Sequence, residues 1–153
     1  MRQFDDLDSK LLVLLQENDR LSLAELGERL GVAASTVNDR VKRLVNRGVI
    51  SGFHARVDPE QIGIELLAFM LVGWSEPKVE VAFLKKIRAS SQVLECHHVT
   101  GAWNYLLKVR LKNTRELETF LSDTIKSVRG VERTETIIAL STAKETWTLT
   151  PPA

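Results

Sequence analysis

Four cations fall within nine residues of this chain, Arg40, Lys42, Arg43 and Arg47, against a single acid, Asp39. Val37, Val41 and Leu44 run between them at i, i+4, i+7 spacing, which predicts an amphipathic helix with its apolar stripe turned inward. Ser35, Thr36, Asn38, Asp39, Lys42 and Arg43 lie off that stripe and can face outward. These residue types suit nucleic-acid contact. Side chains near the start of such a helix reach base edges, while Lys42, Arg43 and Arg47 meet phosphates. Asn38 can read adenine through its amide. Asp39 either accepts from cytosine or pairs with Arg43 one turn on. Arg40 also has a structural reading, with its stem along the helix packing and its head on an acid such as Glu25.

A second group of reactive types is Cys96-His97-His98. On a strand, Cys96 and His98 share one face and His97 points away. A tetrahedral zinc site needs further ligands, and the one other histidine, His54, lies in the other half of the chain. A structural role is expected here and no metal site. The following Gly101-Ala102-Trp103-Asn104-Tyr105 joins two predicted strands. The Gly101 backbone can approach a ligand closely, and His98 and Thr100 can line a pocket beside it. No Gly-rich phosphate loop, nucleophile elbow or paired-carboxylate motif appears, so no catalytic residue and no cofactor are assigned.

The elements that must position these residues follow from periodicity and caps. A first helix starts around Asp5–Asp8, where acids suit the N-terminus. Leu7, Leu11, Leu14 and Leu15 form its stripe, and Asn18-Asp19 end it. Ser22 with Glu25 is a capping box that opens a second helix carrying Leu23, Leu26 and Leu30. Gly31 breaks that helix. A third runs from Ala34 to Asn46 and ends at Gly48. Val49–Phe53 reads as a short strand or wing. A short helix, a tight turn and a basic second helix make a helix-turn-helix over about residues 23–42, and the second helix fits a major groove.

Beyond the Asp58-Pro59 turn signal the pattern changes. Leu66–Trp74 is a continuous apolar strand candidate. Val79–Ser90 reads as a helix. Val93–Thr100 and Tyr105–Leu111 are two strands. Thr114 caps a helix with Leu117, Leu121, Ile125 and Val128, and Gly130 ends it. Val131–Leu140 is a further strand, and Trp147–Thr150 reads as an added edge. The order β-α-β-β-α-β is the split pattern of a ferredoxin-like domain. The fold class is therefore α+β: a winged helix-turn-helix over 1–51, a hinge over 52–64, and a second domain over 65–153. The first strand's continuous apolar run predicts burial on both faces, so a second copy is expected to cover the open side of the sheet.

Composition fits this division. The net charge of the 153 residues is +1, yet residues 33–56 hold five Lys/Arg and one acid. From residue 57 onward, twelve basic residues meet twelve acidic ones. A localised cationic surface on a neutral body points to nucleic acid. A single cysteine excludes an internal disulfide and favours a reducing compartment. With no signal-peptide core and no bilayer-length apolar run, the expectation is a soluble cytoplasmic protein.

With these residues in view, the chain resembles the Lrp/AsnC (leucine-responsive/asparagine regulator) family of transcription factors. The segments LDSKLLVLLQENDRLSLAELGERLGV, STVNDRVKRL and RGVISGF carry the N-terminal likeness, and ECHHVTGAWNYLLKVRL the C-terminal one. The resemblance implies a winged DNA-binding domain, a hinge strand and a dimerising, ligand-sensing domain, with dimers assembling to octamers. It also implies a small amino acid bound near His98, Thr100, Gly101, Ala102, Trp103, Asn104 and Tyr105. Three departures stand out. Ala33 occupies the usual serine cap of the third helix, Val45 replaces a glutamate, and the Gly101–Tyr105 loop lacks the family's carboxylates. Asn104 keeps a carbonyl acceptor but no charge, and Trp103 adds bulk. A larger or aromatic amino acid, or no ligand, is expected, with Trp103 at a subunit interface in the latter case. The chain is thus expected to be a regulator binding a roughly palindromic operator. The alternatives are a haem-synthesis enzyme of the sirohaem decarboxylase type and an effector-independent architectural DNA-binding protein.

Overall fold

The computed structural model describes residues 5–151. It divides into two compact units, one ending at Arg56 and taking in the tail from Lys144, the other Val57–Ala143. The first holds helices α1 (Asp6–Glu17), α2 (Leu23–Leu30) and α3 (Ala34–Asn46). Asp5 caps α1 by a reciprocal box with Asp8, and Ser22 caps α2 by one with Glu25. Leu11, Leu15, Leu26, Val37 and Leu44 form the core, with Val41, Val49 and Ile50 against it.

Gly31 takes the left-handed conformation that ends α2, with φ 69°. The Val32 N–H then bonds back to the Gly27 carbonyl at 2.9 Å. A Cβ at Gly27 would stand 2.6 Å from the Val32 carbonyl oxygen, so the tight turn between α2 and α3 requires a glycine there. Ala33 gives α3 no side-chain cap.

Val49–Phe53 forms no strand, against expectation. Gly48, with φ 69°, reverses the chain, and the N–H groups of Val49 and Ile50 both bond to the Leu44 carbonyl. Those donors complete the end of α3 instead of a ladder. Trp147–Thr150 is not an edge strand either. It packs with the first unit instead: Leu149 exchanges two hydrogen bonds with the Gln16 amide on α1, at 2.7 and 2.9 Å. Arg56 adds a bond to the Glu145 carbonyl.

The second unit holds β1 (Leu66–Gly73), α4 (Val79–Arg88), β2 (Val93–His98), β3 (Tyr105–Leu111), α5 (Thr114–Phe120) and β4 (Arg133–Ile138). The sheet order is β2-β3-β1-β4, and every pairing is antiparallel. This is the expected βαββαβ fold. Asn113, one residue before Thr114, is the cap of α5, and its side chain accepts from the Glu116 N–H. The helix continues through a wide turn over Leu121–Ile125, closed by a bond from the Lys126 N–H to the Leu121 carbonyl. Ala68, Met70, Val72, Leu107 and Val109 pack from one sheet face against Phe83, Ile87, Phe120 and Ile125. Pleating sends Leu67, Phe69, Leu71 and Leu106 to the opposite face.

Candidate nucleic-acid interface and sensing loop

α3 turns Val37 and Leu44 into the core and leaves Ser35, Thr36, Asp39, Lys42, Arg43 and Arg47 exposed. Asn38 is half-buried. The expected outward face therefore exists, but two arginines of α3 are already engaged. Arg40 Nη1 donates to both Asp5 oxygens, at 2.7 and 2.8 Å, and to Asp8 Oδ1 at 2.8 Å. Arg43 Nη2 donates to both Asp8 oxygens at 2.7 and 2.8 Å.

Arg40 is thus structural, though its partners are on α1 and not Glu25, which serves the α2 cap. Arg43, expected on phosphate, is held by a carboxylate only 1% exposed. An unpaired buried carboxylate is costly, so Asp8 keeps its cations. Asp39 does not pair with Arg43, for the same reason. The Arg40 hydrogen bond, with the Asp8 N–H, holds the Asp5 carboxyl below its ordinary pKa.

In the second unit, residues 99–104 join β2 to β3. Gly101 takes φ 103°, and a Cβ there would meet nothing within 4 Å, so its backbone faces open space. Thr100, Gly101 and Ala102 are exposed, and Trp103 is half-buried. His98 stacks on Tyr105 with centroids 4.9 Å apart. Tyr105 is buried between Trp74 and Phe83, and its hydroxyl donates to Glu80 at 2.6 Å. Burial first, then that bond, pushes its pKa up to about 12.

The Asn104 oxygen, the carbonyl acceptor that the loop keeps, accepts from the Trp74 N–H at 2.8 Å. It closes the loop onto β1. Sequence reasoning missed Arg133 on β4, whose guanidinium donates to the Ala102 carbonyl and lies 4.8 Å above the Trp103 ring. A Cβ at Gly73 would stand 2.6 Å from Arg133 Nε, so that glycine opens the space Arg133 occupies. No local pattern announces Arg133; its partners lie some thirty residues earlier in the chain.

Cys96 packs against the core, and burial pushes its thiol pKa up. His97 pairs with Glu95 at 3.1 Å, and Glu95 also with Lys108 at 3.2 Å. Among the described residues, no group of three or more potential ligands is placed to hold a metal. Among them too, no helix is long and apolar enough to cross a membrane.

Two family descriptions match this chain. Residues 4–51 match a winged helix-turn-helix DNA-binding domain, and residues 67–149 match the Lrp/AsnC ligand binding domain. The HTH-type transcriptional regulator FL11 of Pyrococcus furiosus is 40% identical over 143 residues, 93% of each chain. The proline dehydrogenase transcriptional activator of Rhizobium radiobacter is 35% identical over 144 residues, 93% of this chain and 92% of its own. A transcriptional regulator of Neisseria meningitidis, solved in complex with L-Met, superposes with a TM-score of 0.92 at 31% identity, covering 96% of each chain.

Proposed function

Since the chain belongs to the Lrp/AsnC family of DNA-binding transcriptional regulators, we propose that it binds a roughly palindromic operator as a homodimer, under the control of a small amino acid. The observation that carries the DNA half of this reading is the outward face of α3. Ser35 and Thr36 stand in its first turn and Asn38 just beyond, where base edges come within reach, and Lys42 and Arg47 follow as phosphate contacts. One such helix makes few contacts. Two of them, one helical turn of DNA apart, read both half-sites.

The dimer forms through the sheet face opposite the helices. Phe69, Leu71 and Leu106 lie half-buried on it, and the exposed Ile137 joins them from β4. Such a patch seeks a partner surface. Dimers assemble further, to an octamer, and the protein works in the cytoplasm as a regulator and not an enzyme.

The effector lies against His98, Thr100, Gly101, Ala102 and Trp103, with its carboxylate on backbone N–H groups. The Neisseria regulator's complex with L-Met supports an amino acid. The Asn104 oxygen already accepts from the Trp74 N–H and carries no charge, so the loop offers the ammonium group no carboxylate partner. That same observation favours a second reading, an effector-independent DNA-binding protein. The ligand acts by preferring one assembly or domain geometry over another, which changes operator affinity by linkage.

The test is fluorescence anisotropy on a duplex selected from random sequence. Replacing Lys42 and Arg47 together with alanine should abolish binding while the dimer stays folded. Wild-type affinity in that variant would remove α3 from the interface. Calorimetry and light scattering against the twenty amino acids test the effector: no heat and no shift in assembly would leave the effector-independent reading.

A further inference from the structure

α1 presents two carboxylates to α3, and α3 returns two guanidinium groups. Asp8 is 1% exposed and receives Arg43 on both oxygens, with Arg40 beside it. Asp5 receives Arg40 and at the same time caps α1. The four charges offset one another. Of the cations expected on DNA, Lys42 and Arg47 are left, and Arg43, although 47% exposed along its side chain, has its head turned back to α1. Non-specific attraction to DNA grows with the number of free cations, whereas base readout depends on how a helix is rotated in the groove.

We propose that Asp8 is a positioning and specificity-determining residue for DNA recognition. It withholds Arg43 from the phosphates and fixes the rotation of α3, so that Ser35, Thr36 and Asn38 discriminate between sequences. This rests on α3 being the DNA-reading helix. Asp8 touches no base and no phosphate; it acts through Arg43 and Arg40.

The experiment measures affinity of the full chain, over a series of KCl concentrations, for a duplex selected from random sequence and for a scrambled duplex of equal length. In Arg43→Gln, Asp8 keeps Arg40. The logarithmic salt slope should stay at the wild-type value, and selected-duplex affinity should stay within about threefold. Lys42→Gln should flatten the slope by about 0.9 for each α3 engaged. Asp8→Asn frees Arg43, so the slope should steepen by about 0.9 per α3 while the preference for the selected duplex falls about tenfold. A flattened slope in Arg43→Gln overturns the proposal, because Arg43 would then be a phosphate contact. An unchanged slope and preference in folded Asp8→Asn overturns it too. Should Asp8→Asn not fold, the slope of Arg43→Gln decides alone. A wild-type slope in Lys42→Gln as well would instead overturn α3 as the reading helix, and the role of Asp8 with it.

Discussion

The core of the DNA-binding unit is Leu11, Leu15, Leu26, Val37 and Leu44, whereas the core of the sensing unit gathers fifteen buried residues, Phe83 and Phe120 among them. Hydrophobic burial contributes in proportion to area, so the smaller unit has far less of it to orient its helices. It uses directed contacts instead: two reciprocal capping boxes, a glycine turn without room for a Cβ, and four charges between α1 and α3. The sensing unit adds directed contacts around its loop, where Tyr105–Glu80, Asn104–Trp74 and Arg133–Ala102 fix backbone already carried on a packed sheet. Packing sets position where there is core enough, and polar geometry sets it where there is not.

The contrast breaks most visibly at Phe83, which is fully buried. Phe83→Ala should cost about 3–5 kcal/mol in denaturant unfolding of the sensing unit. A cost below about 1 kcal/mol would mean that packing does not dominate there.

Tyr105→Phe sharpens the polar side. Removing a bond to a charged acceptor should cost about 1.5–3 kcal/mol at neutral pH. The Tyr105 pKa is higher folded than unfolded, so its contribution is complete below about pH 10 and is lost as pH rises towards its folded value of about 12. Melting temperatures of wild type and variant should converge across that interval. Parallel curves would rule out the Tyr105–Glu80 bond as the cause.

The smallest effect is a gain. Ala33→Ser supplies the missing cap of α3 and should stabilise the DNA-binding unit by about 1 kcal/mol. Hydrogen exchange should slow in α3 and stay unchanged in β1 and β3.

These features differed in how far the sequence revealed them. The three N-terminal helices, the Ser22–Glu25 box and the βαββαβ order were legible, because periodicity and caps act between residues a few positions apart. Asn113 rather than Thr114 caps α5, a slip of one between two residues that both make good caps. Val49–Phe53 and Trp147–Thr150 have strand-like composition, but a strand exists only with a partner, and here the backbone donors go to Leu44 and Gln16. The outward face of α3 could be read from its stripe. The capture of Arg43 by Asp8 could not, since an ion pair across 35 positions depends on how two helices pack. The same holds for the Arg133 clamp on the sensing loop.

The tail that bonds to Gln16 has a topological consequence. Because the DNA-binding unit takes in the tail from Lys144 as well as the chain up to Arg56, residues 57–143 are a guest inserted between its two pieces, and the backbone crosses from host to guest twice. Were the guest unstructured, seating the tail on α1 would mean closing a flexible loop of that length, an entropic cost on the order of 4 kcal/mol. A folded guest fixes the span between its two ends and lifts much of that cost, so whatever tightens the guest also tightens the host's grip on its own tail.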